Sequence, residues 1–179
     1  MHTQDTQALQ PSEIELLKEK IKDIRTAMLT TQEPDGDFHS RPMATQAIDP
    51  DGTMWFFTYD DTNKVREITA NNRVSLTFTD TGSETYVATS GTAEVVKDQR
   101  KIDELWSEVL KTWFPKGKDD PHLMLIKVHP QAGEFWDHPG GKMTALFQMV
   151  RGALTGKPDR LARNEKFGDE PAERLDPNQ

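Results

Sequence analysis

Between Ala27 and Lys97 the chain is cut by three clusters of turn formers, Glu33-Pro34-Asp35-Gly36, Asp49-Pro50-Asp51-Gly52 and Asp80-Thr81-Gly82-Ser83. Each places Pro, Gly or Asp where a backbone reverses most readily, and the runs between them are short and rich in β-branched and aromatic residues. A segment punctuated in this way has little room for long helices and folds instead as an antiparallel sheet. The spacing predicts strands at 27–31, 38–48, 53–59, 73–79, 84–90 and 92–97. In the fourth, Val74, Leu76 and Phe78 alternate with Ser75 and Thr77, the period of a strand with one buried face.

Helical patterns flank and interrupt these strands. Ser12 and Glu15 form a candidate capping box, and Ile14, Leu17, Ile21 and Ile24 then recur at helical spacing, predicting a helix over 12–25. A short helix is expected from about Asn63 to Ala70, capped by Asp60, Asp61 or Thr62, with Val65 and Ile68 inward and Asn71-Asn72 at its exit. From an Asp98 cap, Ile102, Leu105, Trp106, Val109, Leu110 and Trp113 fall on one stripe, so a single amphipathic helix is expected up to Phe114-Pro115-Lys116-Gly117. Leu123 to Val128 is nearly all apolar and reads as a strand buried on both faces. A further strand runs to Trp136, a loop follows at His138-Pro139-Gly140-Gly141, and Met143, Leu146, Phe147 and Val150 mark a last helix. Beyond Thr155 the composition turns to charged residues and Pro, which cannot bury enough surface to offset chain entropy. The expected organisation is a flexible 1–11 segment, one domain over 12–154, and a polar, mobile tail over 155–179. The fold class is mainly β with α additions, a small barrel.

Composition excludes several classes of function. With 22 Lys and Arg against 30 Asp and Glu, the net charge is −8, which disfavours nucleic acid in the absence of a concentrated basic face. Mean hydropathy is −0.76, and no run approaches the roughly 20 apolar residues of a membrane-spanning helix. The first residues lack the pattern of a secretory signal, so a cytoplasmic location is expected. The absence of Cys removes disulfides, thiolate metal sites and cysteine nucleophiles. The five His residues share no helical face with a carboxylate, and no metal site is expected. Glycine-rich dinucleotide and Walker-type phosphate loops are missing, as is a Gly-x-Ser-x-Gly nucleophile turn.

What remains is the stretch from Arg41 to Lys64. Arg41-Pro42-Met43 lies on one strand and Trp55-Phe56-Phe57-Thr58 on the next, and the Asp60-to-Lys64 turn opens a helix. Pairing of the two strands through the Asp-Pro-Asp-Gly turn would bring Arg41 near Thr58. Free N–H groups at a helix start, the Thr58 and Thr62 hydroxyls and the Lys64 ammonium together suit a phosphate monoester. Arg41 adds a planar fork for an oxygen ligand. Taken singly, the same residues also read as a surface strand arginine, a solvated helix lysine and ordinary core aromatics, and the residues alone leave both readings open.

Arg41-Pro42-Met43, Phe57-Thr58, Asn63-Lys64-x-Arg66-Glu67 and Asn71-Asn72-Arg73-Val74, in that order, resemble the pyridoxamine 5′-phosphate oxidase-like family of flavin-binding split barrels. Trp113-Phe114-Pro115, Gly117-Lys118-Asp119-Asp120-Pro121, Glu134-Phe135-Trp136-Asp137, Leu154-Thr155-Gly156-Lys157 and Asn164-Glu165-Lys166 are similar to its general stress protein branch. The resemblance, over about Ser12 to Lys166, implies a split β-barrel of about six antiparallel strands, a homodimer, and FMN, with FAD as the alternative, in a cleft between subunits. It implies that Arg41, Pro42 and Met43 lie along the flavin, with Arg41 near the pyrimidine edge. It further implies that Thr58, Asn63 and Lys64 hold the phosphate, that Phe56 and Phe57 belong to the cofactor strand, and that Trp113 and Trp136 approach the ring, from the partner chain if not from their own. The implied activity is flavin-dependent oxidoreduction with a small-molecule donor such as NAD(P)H. The competing reading is a non-catalytic flavin store or stress sensor, and a third is a carrier of another apolar ligand. No catalytic side chain stands out. Pyridoxamine phosphate oxidation itself is not expected, because Arg174-Leu175-Asp176-Pro177 sits in the polar tail instead of on an ordered strand.

Overall fold

The computed structural model describes residues 9–137 and the backbone of 163–168. The loop expected at 138–141 and the helix expected around Met143 to Val150 lie outside the described residues. Helix α1 spans Pro11–Ile21, and the strands are β1 (Thr26–Gln32), β2 (Phe38–Ala44), β3 (Ala47–Ile48) and β4 (Met54–Tyr59). Helix α2 (Asn63–Ala70) precedes β5 (Arg73–Asp80) and β6 (Thr85–Val96); α3 (Gln99–Leu105) and a 3-10 turn (Glu108–Thr112) lead to β7 (Leu123–Asp137) and β8 (Arg163–Gly168). Every pairing is antiparallel, in the order β2-β1-β5-β6-β7-β4-β3, with β8 on β7. The two ends of that order, β2 and β3, are consecutive in the chain and joined only by Thr45-Gln46. The sheet therefore curls until its edges meet without pairing, which is a split barrel and agrees with the expected fold class.

Turn chemistry sets the registers. Gly36 and Gly52 sit at φ +100° and +85°, where a side chain would be strained, and close the β1–β2 and β3–β4 hairpins. At the third turn Asp80 Oδ1 and Oδ2 accept from the Gly82 amide at 2.8 Å and the Ser83 hydroxyl at 2.6 Å.

Several predicted elements differ in extent. The cap of α1 is Gln10, not Ser12: its amide donates to Glu13 Oε2 at 2.7 Å, Pro11 opens the helix, and the helix stops at Ile21. The strand expected over 38–48 breaks at Thr45-Gln46, because β2 pairs with β1 while β3 pairs with β4. The strands expected at 84–90 and 92–97 are one, and so are the two expected between Leu123 and Trp136. One bulge explains both. The β6–β7 register shifts between Ser90 and Gly91, opposite Pro130, so the proline that would otherwise end a central strand falls where the ladder is already interrupted. Within the segment expected to be a mobile tail, Arg163–Gly168 runs as β8 against Ala132–Asp137 of β7. No described helix is long and apolar enough to cross a membrane.

Two cores share β4 and β7. Inside the curl, Leu29, Met54, Phe56, Leu76, Phe78, Val87, Ile126 and Phe135 are fully buried, and α1 plugs the open end with Ile14, Leu17 and Ile21. Outside, Trp55, Phe57, Leu123 and Leu125 are covered by Ile102 and Leu110. Lys101 fixes this outer layer. Its ammonium lies 3.0 Å from Asp49 and 2.9 Å from Glu104, and 5.2 Å from the centre of the Trp55 ring.

A Cβ added at Gly91 would lie 2.0 Å from the His129 carbonyl oxygen. Gly91→Ala should therefore force the bulge apart and destabilise the chain by about 3 kcal/mol or more in urea denaturation. A loss under about 1 kcal/mol would mean that the β6–β7 ladder can part there at little cost.

Candidate functional site

Helix α2 begins without the usual protection of its first amides. Thr62 is its N-cap residue, yet the Thr62 hydroxyl donates to the Tyr59 carbonyl at 3.0 Å and stands 3.3 Å from the Thr58 hydroxyl instead of capping the helix. No acidic residue occupies the first turn. A helix start of this kind presents unmatched N–H groups and the positive end of its dipole. Lys64 stands in that first turn, half-buried, and among the described residues it has no ion pair or hydrogen bond. Burial, and then the neighbouring Arg41 guanidinium, push its pKa down from the ordinary lysine value against the weaker pull of the Glu67 and Asp61 carboxylates.

Against this end opens a cleft of about 240 Å³ lined by Pro42, Met43 and Ala44 of β2, Phe57, Thr58 and Tyr59 of β4, Thr62, Lys64, and the segment carrying Leu110, Trp113 and Phe114. Its wall is aromatic and its floor hydroxylic and cationic. Phe57 anchors the wall, meeting Trp106 edge to face at 5.9 Å and Phe114 at 5.8 Å. This packing decides how the preceding segment folds. The helix expected from Asp98 to Trp113 ends at Leu105, Trp106 and Ser107 turn extended, and a 3-10 turn follows. The stripe is thereby broken: Val109 and Trp113, expected to be buried, are 69% and 63% exposed, and Trp113 borders the cleft.

Of the residues singled out in the sequence, Pro42, Met43, Phe57, Thr58, Lys64 and Trp113 line the cleft, and Arg41, Phe56, Asn63 and Trp136 do not. Phe56 points into the barrel and is fully buried, because neighbours on a strand face opposite ways. The Asn63 side chain accepts a hydrogen bond from Arg66. Trp136 lies at the far end of β7, opposite Tyr86, while β4 pairs with the near end. The lining residues Ala44, Gln46, Tyr59, Leu110 and Phe114 were not predicted for the site. Phe114 lies inside a quoted motif and Tyr59 beside one, but their ring contact at 5.1 Å was not readable.

Arg41 is not a free cation. The Asp-Pro-Asp-Gly turn pairs β3 with β4, so Arg41 does not face Thr58 across a hairpin. Its guanidinium donates to Glu67 Oε2 at 2.7 Å and to the Thr31 hydroxyl, which donates in turn to the same oxygen. Glu67 is 4% exposed. Burial pushes its carboxyl up, but the hydrogen bonds from Thr31 and Arg41 and the adjacent positive charge outweigh this and hold it below the usual range. The pair ties β2 to α2, and so holds the Pro42-Met43 wall against the Lys64 end.

Arg41→Met would leave the Glu67 charge buried and unmatched, and should destabilise the chain by about 3 kcal/mol in urea denaturation. Adding Glu67→Gln should restore part of that loss. A loss for Arg41→Met no larger than the 1 kcal/mol or so of an exposed pair would show the carboxylate to be solvated.

Comparison with known proteins agrees with this architecture. The sequence model of a family described as "Pyridoxamine 5′-phosphate oxidase like" matches residues 12–159. A protein of Jannaschia sp. CCS1 named general stress protein 26 superposes with a TM-score of 0.73 at 27% identity, over 88% of this chain and 98% of that one. The general stress FMN/FAD binding protein of Xanthomonas citri superposes with a TM-score of 0.60 at 31% identity, over 70% of this chain and 89% of its own. Protein bli-3 of Neurospora crassa is 22% identical over 171 residues, 86% of this chain and 82% of that protein. With most of its length matched by the family model and its strands closed into the same split barrel, the chain belongs to the pyridoxamine 5′-phosphate oxidase-like family.

Proposed function

We propose that the cleft binds FMN and that the protein works as a flavin-dependent oxidoreductase. The observation that carries this reading is the unpartnered, half-buried Lys64 beside an uncapped helix start, at the polar end of an aromatic-walled cleft. A half-buried ammonium with no carboxylate in contact, and with Glu67 and Asp61 acting on it only at a distance, is completed most directly by an anion seated in the cleft. Lys64, the Thr58 and Thr62 hydroxyls and the first amides of α2 would hold a terminal phosphate. Pro42, Met43 and Phe57 would flank the planar ring, and Arg41, already matched by Glu67, would position β2 and not touch the ligand as an open charge. The residues present thus fit a ligand with an apolar plane and one anionic end, and the flavin-binding relative in Xanthomonas citri points to the same class.

A bound flavin would supply hydride and electron transfer, for which the protein need only orient the ring and exclude water. NAD(P)H is the donor class we propose. Trp113 leaves apolar surface exposed beside the cleft, and a second copy that closes over the cleft and buries it is part of the proposal.

Lys64→Ala should weaken FMN binding by roughly 1.5 to 3 kcal/mol, about one to two decades in affinity, and leave riboflavin unchanged. Equal losses for both flavins, or none, would remove Lys64 from the phosphate. Trp113→Asp should weaken self-association by about 2 kcal/mol in sedimentation equilibrium. An unaltered dimer constant, or a wild-type chain that stays monomeric with FMN added, would refute the shared cleft. Steady NAD(P)H consumption by the FMN-loaded protein supports catalysis, whereas stoichiometric binding without turnover supports the store or sensor.

A further inference from the structure

Away from the cleft, side chains from three separate segments converge beside the β1–β2 hairpin. Glu33 follows β1, His39 stands on β2 opposite Thr31, and Glu67 comes from α2. One ligand atom of each lies within 4.8 Å of the other two, with His39 Nδ1 2.7 Å from Glu33 Oε1 and 3.5 Å from Glu67 Oε1. We propose that Glu33, His39 and Glu67 form a binding site for a divalent first-row cation of the zinc class.

The donor set is right for such an ion. One imidazole nitrogen and two carboxylate oxygens make an open nitrogen–oxygen site whose remaining positions go to water. Two ligand atoms bound about 2.1 Å from a tetrahedral ion stand about 3.4 Å apart, inside the spread seen here. Small rotations of the more exposed Glu33 and His39 suffice to equalise the distances.

Preorganisation of the third ligand is the stronger observation. Glu67 is 4% exposed, and Thr31 and Arg41 both grip its Oε2. The carboxylate cannot turn, and Oε1, which receives no hydrogen bond among the described residues, is left aimed at His39 and Glu33. Hydrogen bonds to the far oxygen of a ligating carboxylate are how metal sites orient their ligands. Arg41 occupies the opposite side of Glu67 and so lowers the local negative charge without blocking Oε1. Two carboxylates against one guanidinium still leave the cluster negative, and the adjacent turn adds Asp35 and Asp37. Glu33 also borders an open polar hollow with Gln32, Asp35 and Asn71, and the His39 side chain is 52% exposed, so the cluster is reached from solvent on the Glu33 and His39 side. No local pattern announces this site, because no two of its ligands share a helix face or a short motif.

The test is calorimetric titration of Zn²⁺ into the chelator-stripped full chain, made without a polyhistidine tag, with Co²⁺ as a spectroscopic probe. A single ion per chain is expected, with visible Co²⁺ bands displaced by Zn²⁺. His39→Ala and Glu33→Gln should each weaken Zn²⁺ binding by about tenfold or more. Both positions are solvent-accessible, so these variants remain informative even where Glu67→Gln fails to fold. Absence of saturable Zn²⁺ binding, or an affinity unmoved by His39→Ala and Glu33→Gln, would overturn the proposal.

Discussion

Glu67 brings a carboxylate to 4% exposure, a position that costs several kcal/mol for an ion left without partners. The surrounding structure is arranged to meet that demand. Arg41 from β2 and Thr31 from β1 both reach one of its oxygens, which fixes the rotation of α2 over the end of the sheet. That fixed rotation places Lys64, three residues earlier on the same helix, over the Pro42-Met43 wall. The polar end of the cleft and the cluster with His39 and Glu33 are two faces of the same anchoring.

The apolar side of the cleft depends on a different constraint. Strand β4 is buried on both faces, so Met54 and Phe56 fill the barrel while Trp55 and Phe57 need an outer cover. The segment after β6 supplies it, and the way Trp106 and Phe114 clasp Phe57 overrides the continuous helix that its spacing favours. Breaking the helix turns Val109 and Trp113 outward. The covering layer therefore completes the core under the cleft and leaves Trp113 exposed beside it.

Much of the fold was legible. The turn clusters located the hairpins, the alternation in Val74, Leu76 and Phe78 located a buried strand face, and Asn63–Ala70 emerged with its expected bounds. Half-legible elements failed for one physical reason each. Pro130 reads as a strand end until Gly91 is seen opposite it in a bulge, and Arg163–Gly168 reads as too polar to pack because its pairing is made by backbone groups. Of the residues picked out by order and spacing, Pro42 and Met43 on β2, Phe57 and Thr58 on β4 and Lys64 on α2 line one cleft. Phe56 faces the barrel by strand parity, Trp136 lies at the far end of β7, and Arg41 is matched by a carboxylate twenty-six residues away in the chain.

The sequence by itself determined that this chain is an antiparallel β protein with a short helix whose first turn carries an unusual cation. These properties follow from local rules, in which turn residues, side-chain period and capping act over a few neighbours. Only the tertiary structure decided which cation is locked into a hydrogen-bonded ion pair. Lys64 and Arg41 look alike in the sequence, but the curl of the sheet puts only Arg41 in hydrogen-bonding contact with the buried Glu67 carboxylate, which Lys64 feels at a distance. Charge matching depends on distance through space, and no local pattern records it.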